Sequence, residues 1–187
     1  MIWPFNRKNT TETGAEYYIR DAAMADAKAI VTFKHRIWRQ IFAELKDETF
    51  FATAEATIDE QVEFWQSRIN RGDTVWLAED LRGRIVGTIH ATAKVSDNTA
   101  EFLSAHGLEG LEDIRFFYLA EETTNTDVGQ QLIHQAVADR PAILWAAGDE
   151  PLVEATLYQT GFVPMGQPHQ PTTEPWRGVP RQAMVRK

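Results

Sequence analysis

One stretch of this chain, Ile114 to Asp139, constrains the fold more than any other. It opens with an apolar run, passes through an acidic and threonine-rich bend from Ala120 to Asp127, and continues from Val128 with apolar residues at helical spacing. The run predicts a buried central strand, and the spacing predicts a helix that begins directly after the bend. The first turn of a helix has unpaired backbone N–H groups and the positive end of the helix dipole, so this junction is a potential anion site.

Similar patterns predict strands and helices along most of the chain. Short apolar runs predict further strands at residues 17–20, 75–79, 85–95, 142–146, 161–163 and 182–186. Apolar stripes predict further helices at residues 27–45, 57–72, 101–106 and 150–158. Whether the first helix breaks near His35 stays open, and Thr57 with Glu60 predicts a capping box at the second. This order predicts an α/β fold in which a mixed, mostly antiparallel sheet lies between helices.

Size and composition limit the domain organisation and the type of partner. The chain has 187 residues, 43% of them hydrophobic, which predicts one folded domain over 16–187 after a flexible tail over 1–15. We expect a cytoplasmic protein with no membrane contact, since no apolar run approaches the ~20 residues of a membrane span. There is no cysteine, and the formal net charge of −8 disfavours nucleic acid and favours a cationic or amine partner.

The central stretch resembles the acetyl-CoA signature of the GNAT family of N-acetyltransferases. In that signature a strand ending in Tyr-Val leads through Arg/Gln-x-x-Gly-x-Gly/Ala into a helix. Here Tyr118 and Leu119 take the Tyr-Val places and Gly129 takes the last glycine, whereas Thr124 replaces Arg/Gln and Asp127 replaces the inner glycine. The predicted order of elements also resembles the GNAT fold from about residue 17 to the end.

This resemblance implies an N-acetyltransferase that moves acetyl from acetyl-CoA to a primary amine of a small molecule or peptide. In the family, the pantetheine arm pairs with the end of the central strand, and the pyrophosphate lies on the loop and the helix N-terminus. The cofactor-binding residues that it implies are Phe117, Tyr118, Leu119, Thr124, Asn125, Thr126, Asp127, Val128, Gly129 and Gln130. The resemblance to the family also implies that a homodimer is possible.

The resemblance suggests candidates for proton transfer. Asp113 lies where some members of the family carry a catalytic glutamate, and Glu112 is its neighbour, so either could act as a base through water. Tyr158 is the candidate acid, although it precedes Gly161 by three residues and the family tyrosine precedes its glycine by four. The alternatives stay open that the two carboxylates are ordinary solvated groups and that the tyrosine packs.

Asp127 supports a second interpretation. With Gln130 three residues later it resembles a capping box, in which its side chain would occupy the N–H groups that a phosphate needs. Its charge would also repel the pyrophosphate, and no Lys or Arg lies between Phe116 and Ala138 to offset it. The alternative function is therefore a catalytically silent GNAT-fold protein that binds a ligand or partner.

The histidines and the large aromatic residues give no indication of a metal site, and the aromatic residues are predicted to lie in the core. The five histidines have no ligand spacing, so we predict no bound metal. Trp38, Phe42, Trp65 and Trp76 lie at positions typical of core residues. The region Ile41 to Thr57 and the proline-rich segment near His169 are where the family chooses its acceptors.

Overall fold

The computed structural model describes residues 8–10, 16–147, 150–172 and 177–187. Its strands are Lys8–Thr10 (β1), Glu16–Asp21 (β2), Val75–Glu79 (β3), Ile85–Thr92 (β4), Glu112–Leu119 (β5), Ala142–Ala147 (β6), Val163–His169 (β7) and Arg181–Arg186 (β8). Its α-helices are Ala27–Phe42 (α1), Glu48–Ala56 (α2), Ile58–Asn70 (α3), Asp97–Ala105 (α4), Val128–Val137 (α5) and Pro151–Gln159 (α6). Single turns of 3-10 helix occur at Met24–Asp26 and Glu121–Thr123.

The strands form one sheet in the order β1-β2-β3-β4-β5-β6-β8-β7. Only β5 and β6 pair in parallel, and every other neighbouring pair of strands is antiparallel. A parallel pair needs a crossover connection, which α5 provides here. The predicted mixed, mostly antiparallel sheet is therefore confirmed, and the consecutive strands β3 and β4 form a hairpin within it.

Helices cover both faces of the sheet. Successive side chains of a strand point to opposite faces, and the end of β5 illustrates this alternation. The Tyr118 hydroxyl accepts a hydrogen bond from Trp38 Nε1 of α1 at 2.9 Å. Its neighbour Leu119 instead lies against Gly129 of α5, where an added Cβ would be 3.0 Å from Leu119 Cδ1. The end of β5 is thus held between α1 on one face and α5 on the other.

The hydrophobic core contains the aromatic residues that the sequence assigns to it. Trp38, Phe42 and Trp65 are buried, and Trp76 is partly buried against them. The apolar stripe of α1 keeps helical spacing without interruption, so the helix is continuous past His35.

Several elements differ from the predicted ones. We predicted no helix between Leu45 and Thr57, yet α2 begins after Asp47, whose side chain accepts a hydrogen bond from Phe50 N at 2.9 Å. The Thr57 capping box is absent from α3, because no side chain caps that helix. We expected a loose segment over 1–15, whereas β1 pairs antiparallel with β2. The other residues of that segment lie outside the described ones.

Candidate active site

The seam between β5 and β6 opens part of the way along the two strands. They pair over three positions only, from Glu112 with Ala142 to Ile114 with Leu144. Past these pairs β5 continues alongside β4, and β6 continues alongside β8. The two strands therefore diverge, and among the described residues the edge of β5 from Arg115 to Leu119 has no ladder partner on the β6 side. An unpaired strand edge can accept an extended chain.

A cavity of about 1270 Å³ lies beyond the carboxyl end of β5. Its walls come from the C-terminal part of α1 and the residues that follow it, the bend after β5, the first turn of α5, and α6 along its length. The predicted cofactor-binding residues on these walls are Leu119, Thr124, Asn125, Thr126, Asp127 and Gln130. Most of the predicted set thus lies around one cavity, next to the open seam.

The other predicted cofactor-binding residues do not line this cavity. Phe117 and Tyr118 border the narrow cleft between the diverging strands, which has a volume of about 20 Å³. Val128 and Gly129 are buried within the packing of α5. A Cβ at Gly129 would lie 2.7 Å from Thr156 Cγ2 of α6, so glycine lets the two helices approach each other.

In the described part of the chain the Asp127 side chain makes no capping hydrogen bond to α5, so the capping box predicted at Asp127 was wrong. The helix begins after Asp127 as predicted, but this carboxylate accepts a hydrogen bond from Gln131 Nε2 at 2.6 Å. The side chain of Gln130 donates to Gln159 Oε1 at 2.7 Å instead of turning back to the cap. Val128 N donates to the Thr126 hydroxyl oxygen at 3.4 Å. Within the described residues no side chain accepts from Gly129 N or Gln130 N, so these two N–H groups are available to an anionic ligand.

The cavity wall is acidic. It carries the carboxylates of Glu44, Glu121, Asp127 and Glu150, and no Lys or Arg is among its described lining residues. An anionic ligand would have to be held by backbone N–H groups and neutral side chains, whereas a cationic ligand would be attracted.

Glu150 lies where the cavity meets the cleft, and it lines both. Within the described residues, its carboxylate has no hydrogen-bond donor and no ion-pair partner. Burial raises its pKa to about 8, and the opposing effect of the Arg181 charge is smaller. A carboxyl group with this pKa exists in both protonation states near neutral pH.

Arg181 and Tyr118 surround Glu150 in the cleft. Arg181 Nη2 donates a hydrogen bond to the Trp145 carbonyl oxygen at 2.7 Å, one residue past the last β5–β6 pair. Burial raises the pKa of the Tyr118 hydroxyl well above its usual value, and the nearby Glu150 charge acts in the same direction. Tyr118 is therefore a neutral hydroxyl at physiological pH.

The predicted catalytic residues lie away from the cavity wall. Asp113 is buried at the paired end of β5, where it accepts a hydrogen bond from Ser96 N at 3.1 Å and pairs with Arg115 Nε at 3.3 Å. Glu112 pairs with Arg140 Nε at 3.1 Å. Tyr158 is half exposed on α6. The structure does not bring these three together with the cavity, and their catalytic roles stay predictions.

Glu150 is the site residue that sequence reasoning missed. Glu150 directly precedes Pro151, the first residue of α6. A carboxylate between a buried strand and a helix N-terminus was the available signal, but its lack of partners is visible only in the fold.

The described residues give no evidence of a metal centre or a membrane span. No group of three potential ligands among His, Asp and Glu comes together in the part of the chain that the structure covers. No helix within that part is both long enough and apolar enough to cross a bilayer.

Several solved structures with the same architecture are acetyltransferases, and some of them are named as members of the GNAT family. No protein-family model matches the sequence, and no curated protein matches it. The PaiA N-acetyltransferase from Thermoplasma acidophilum, in complex with coenzyme A, has a TM-score of 0.60 and 15% identity over 91% of this chain and 98% of that one. A phosphinothricin acetyltransferase from Sinorhizobium meliloti, in complex with acetyl-CoA, has a TM-score of 0.62 and 20% identity over 95% and 88%.

A third structure extends the comparison to an enzyme named for a protein acceptor. The ribosomal-protein-alanine N-acetyltransferase from Brucella melitensis has a TM-score of 0.59 and 17% identity over 90% of this chain and 98% of that one. At these identities the similarity establishes the fold. The resemblance inferred from the sequence is therefore confirmed at that level: the chain has the GNAT fold.

Proposed function

We propose that this protein transfers an acetyl group from acetyl-CoA to a primary amine. One observation carries the proposal: the unpaired edge of β5 leads directly to the uncapped first turn of α5, and both adjoin the same large cavity. A strand edge suits the amide-containing pantetheine arm, and a helix N-terminus suits the pyrophosphate. Solved proteins of the same fold contain coenzyme A or acetyl-CoA.

The residues around the cavity could bind acetyl-CoA with uncharged hydrogen-bond donors, mainly backbone N–H groups. The backbone of Phe117 to Leu119 would hold the pantetheine arm, and the N–H groups of Gly129 and Gln130 would hold the pyrophosphate. Thr124, on the cavity wall, has a hydroxyl that donates to the Glu121 carbonyl oxygen at 2.6 Å, which keeps the bend compact. When bound, acetyl-CoA supplies an acetyl thioester, whose acyl group passes to the amine with release of the free thiol.

Asp127 weakens this fit without abolishing it. Its carboxylate is directed to Gln131 and so leaves the helix amides accessible. Its charge stays on the cavity wall and opposes that of the phosphates. We expect binding weaker than a basic site would give, with an affinity that depends on salt concentration.

The charge of the cavity wall bears on the choice of acceptor. The acidic cavity wall favours a cationic amine, in agreement with the formal net charge of −8. We therefore propose a small molecule or peptide with a primary amine as the acceptor.

Isothermal titration with acetyl-CoA, followed by an amine panel with mass detection, tests the proposal. We expect a Kd in the micromolar range and a mass increase of one acetyl group on at least one amine. Absence of heat at millimolar acetyl-CoA would contradict the proposal and would support the alternative, a catalytically silent protein of this fold. Unacylated CoA should bind as well, because the proposed contacts are to the pantetheine arm and the pyrophosphate.

A further inference from the structure

We propose that Glu150 is the general base, the group that removes the proton from the acceptor ammonium. This inference rests on the proposed function and adds a residue that the sequence does not assign to catalysis. In this proposal the base is a carboxylate at the mouth of the cleft, in place of Asp113 or Glu112 acting through water.

The position of Glu150 carries the proposal. Glu150 directly precedes α6 and lines the cavity proposed for the cofactor. It also lines the narrow cleft between β5 and β6, next to the β5 edge proposed for the pantetheine arm and its thioester. A base has to reach the amine at the point where amine and thioester meet, and Glu150 belongs to both spaces.

In the described residues the Glu150 carboxylate has no structural hydrogen bond or ion pair, so it is available to a ligand. Within the described part of the chain no group donates a hydrogen bond to it, and the side chain is partly exposed to the cavity, where a ligand could reach it. Burial in the cleft raises its pKa to about 8, close to the pH at which a base can both take and release a proton. The charged and titratable groups that border its two spaces are Tyr118, Arg115, Arg181, Glu44, Glu121 and Asp127.

The proton balance of the step is simple. The ammonium nitrogen of the acceptor loses one proton, a Glu150 carboxylate oxygen gains it, and the amine becomes a neutral nucleophile. Glu150 then returns the proton to solvent through the cavity, and the carboxylate is restored. Neither an oxidant nor a metal is needed.

The other candidates are less suited to this step. Asp113 already accepts from Ser96 N and pairs with Arg115, and Glu112 pairs with Arg140. Protonating either one would break an existing ion pair. Tyr158 is half exposed on α6 and lines neither the cavity nor the cleft.

The test compares the wild type with Glu150→Gln, Glu150→Asp and the control Glu154→Gln, using whichever panel amine is acetylated. Glu154 is an exposed carboxylate on the same helix and lies off both walls. We expect Glu150→Gln to lower kcat at pH 7.5 by about 100-fold, with partial recovery in Glu150→Asp and no change in the control. The bend of the wild-type pH profile near 8 should be absent from the Gln variant, while its affinity for acetyl-CoA is not weakened.

A second measurement needs neither substrate. Carbon-13 NMR of glutamate carboxyl groups in the free protein should show one resonance that titrates near pH 8 and is missing from Glu150→Gln. If the Gln variant of an active enzyme keeps the wild-type rate and pH profile, the inference is overturned and the proposed function stands. A wild type that neither binds acetyl-CoA nor acetylates any amine would overturn both.

Discussion

The two ends of the β5–β6 seam each have a carboxylate, and these two carboxylates differ in their hydrogen bonding. At the paired end Asp113 is 2% exposed, and it is satisfied by Ser96 N and Arg115. At the open end Glu150 faces a cavity, and no group among the described residues donates to it. Burial raises its pKa to about 8.

This difference separates a structural acid from one available for chemistry. The Asp113 carboxylate links β5 to the start of α4, because Ser96 is the N-cap residue of that helix. Glu150 makes no comparable link, so its charge costs stability and contributes nothing to holding the strands together. Residues of this second kind concentrate at functional sites.

Removing the hydrogen-bonded carboxylate of Asp113 should have the largest effect on the free energy of unfolding. We expect Asp113→Ala to lower the free energy of unfolding by about 2 to 3 kcal/mol, because Ser96 N and Arg115 both lose a partner. Urea unfolding measures this, with Glu109→Gln, an exposed carboxylate, as a control that should change it by less than about 0.5 kcal/mol. A loss no larger than that of the control would mean that Asp113 is not structural, and the comparison would fail.

Removing the carboxylate of Glu150, which has no partner among the described residues, should raise the free energy of unfolding by an amount that depends on pH. The pKa of Glu150 is raised from 4.5 to about 8 in the folded protein, so below pH 4.5 both states are protonated and the group has no net effect. Between these values the unfolded chain has lost the proton that the folded protein still holds, and stability falls as the pH rises. Above pH 8 the loss is complete.

The Glu150→Gln variant lacks this titration, so its Tm should approach that of the wild type at pH 5 and exceed it at pH 8.5. We expect a gain of about 3 to 6 °C, corresponding to about 1 to 2 kcal/mol for a chain of this size. This is less than the full shift implies, because the cavity gives the charge access to solvent. Calorimetry at both pH values measures it, and a Tm difference independent of pH would contradict the raised pKa.

Asp127 is an intermediate case, with one donor and a place on the cavity wall. Asp127→Asn keeps an acceptor for Gln131 and removes the charge, so it should tighten acetyl-CoA binding by about 3- to 5-fold at low salt. The gain should shrink as the ionic strength rises. Titration calorimetry at two salt concentrations tests this against Glu154→Gln, which lies off the wall and should change nothing. Equal affinities for wild type and Asp127→Asn at low salt would remove Asp127 from the account.

Much of the fold could be predicted from the sequence because its apolar patterns are strong. The run ending at Leu119, the hairpin of β3 and β4, and the stripe of α1 each bury a face with the expected period. The weakly patterned elements were missed: α2 buries only Phe51, and β1 has three residues. Their formation depends on tertiary contacts that a local pattern does not contain.

The site could be predicted only in outline. The junction of β5 and α5 was found because a strand followed by a helix start is a local feature. The capping box at Asp127 was wrong because Gln131, one turn along the helix, offers its amide to the same carboxylate. Glu150 was missed because the absence of a partner among the described residues depends on how β5 diverges from β6, which no sequence spacing records.

Mapping acetyl-CoA on the protein by backbone amide NMR tests the central claim most directly. The account predicts that the largest shifts occur at the end of β5 and in the first turn of α5, from Phe117 to Leu119 and from Asn125 to Gln130. Shifts confined to another face of the sheet, or no shifts at saturating ligand, would contradict it.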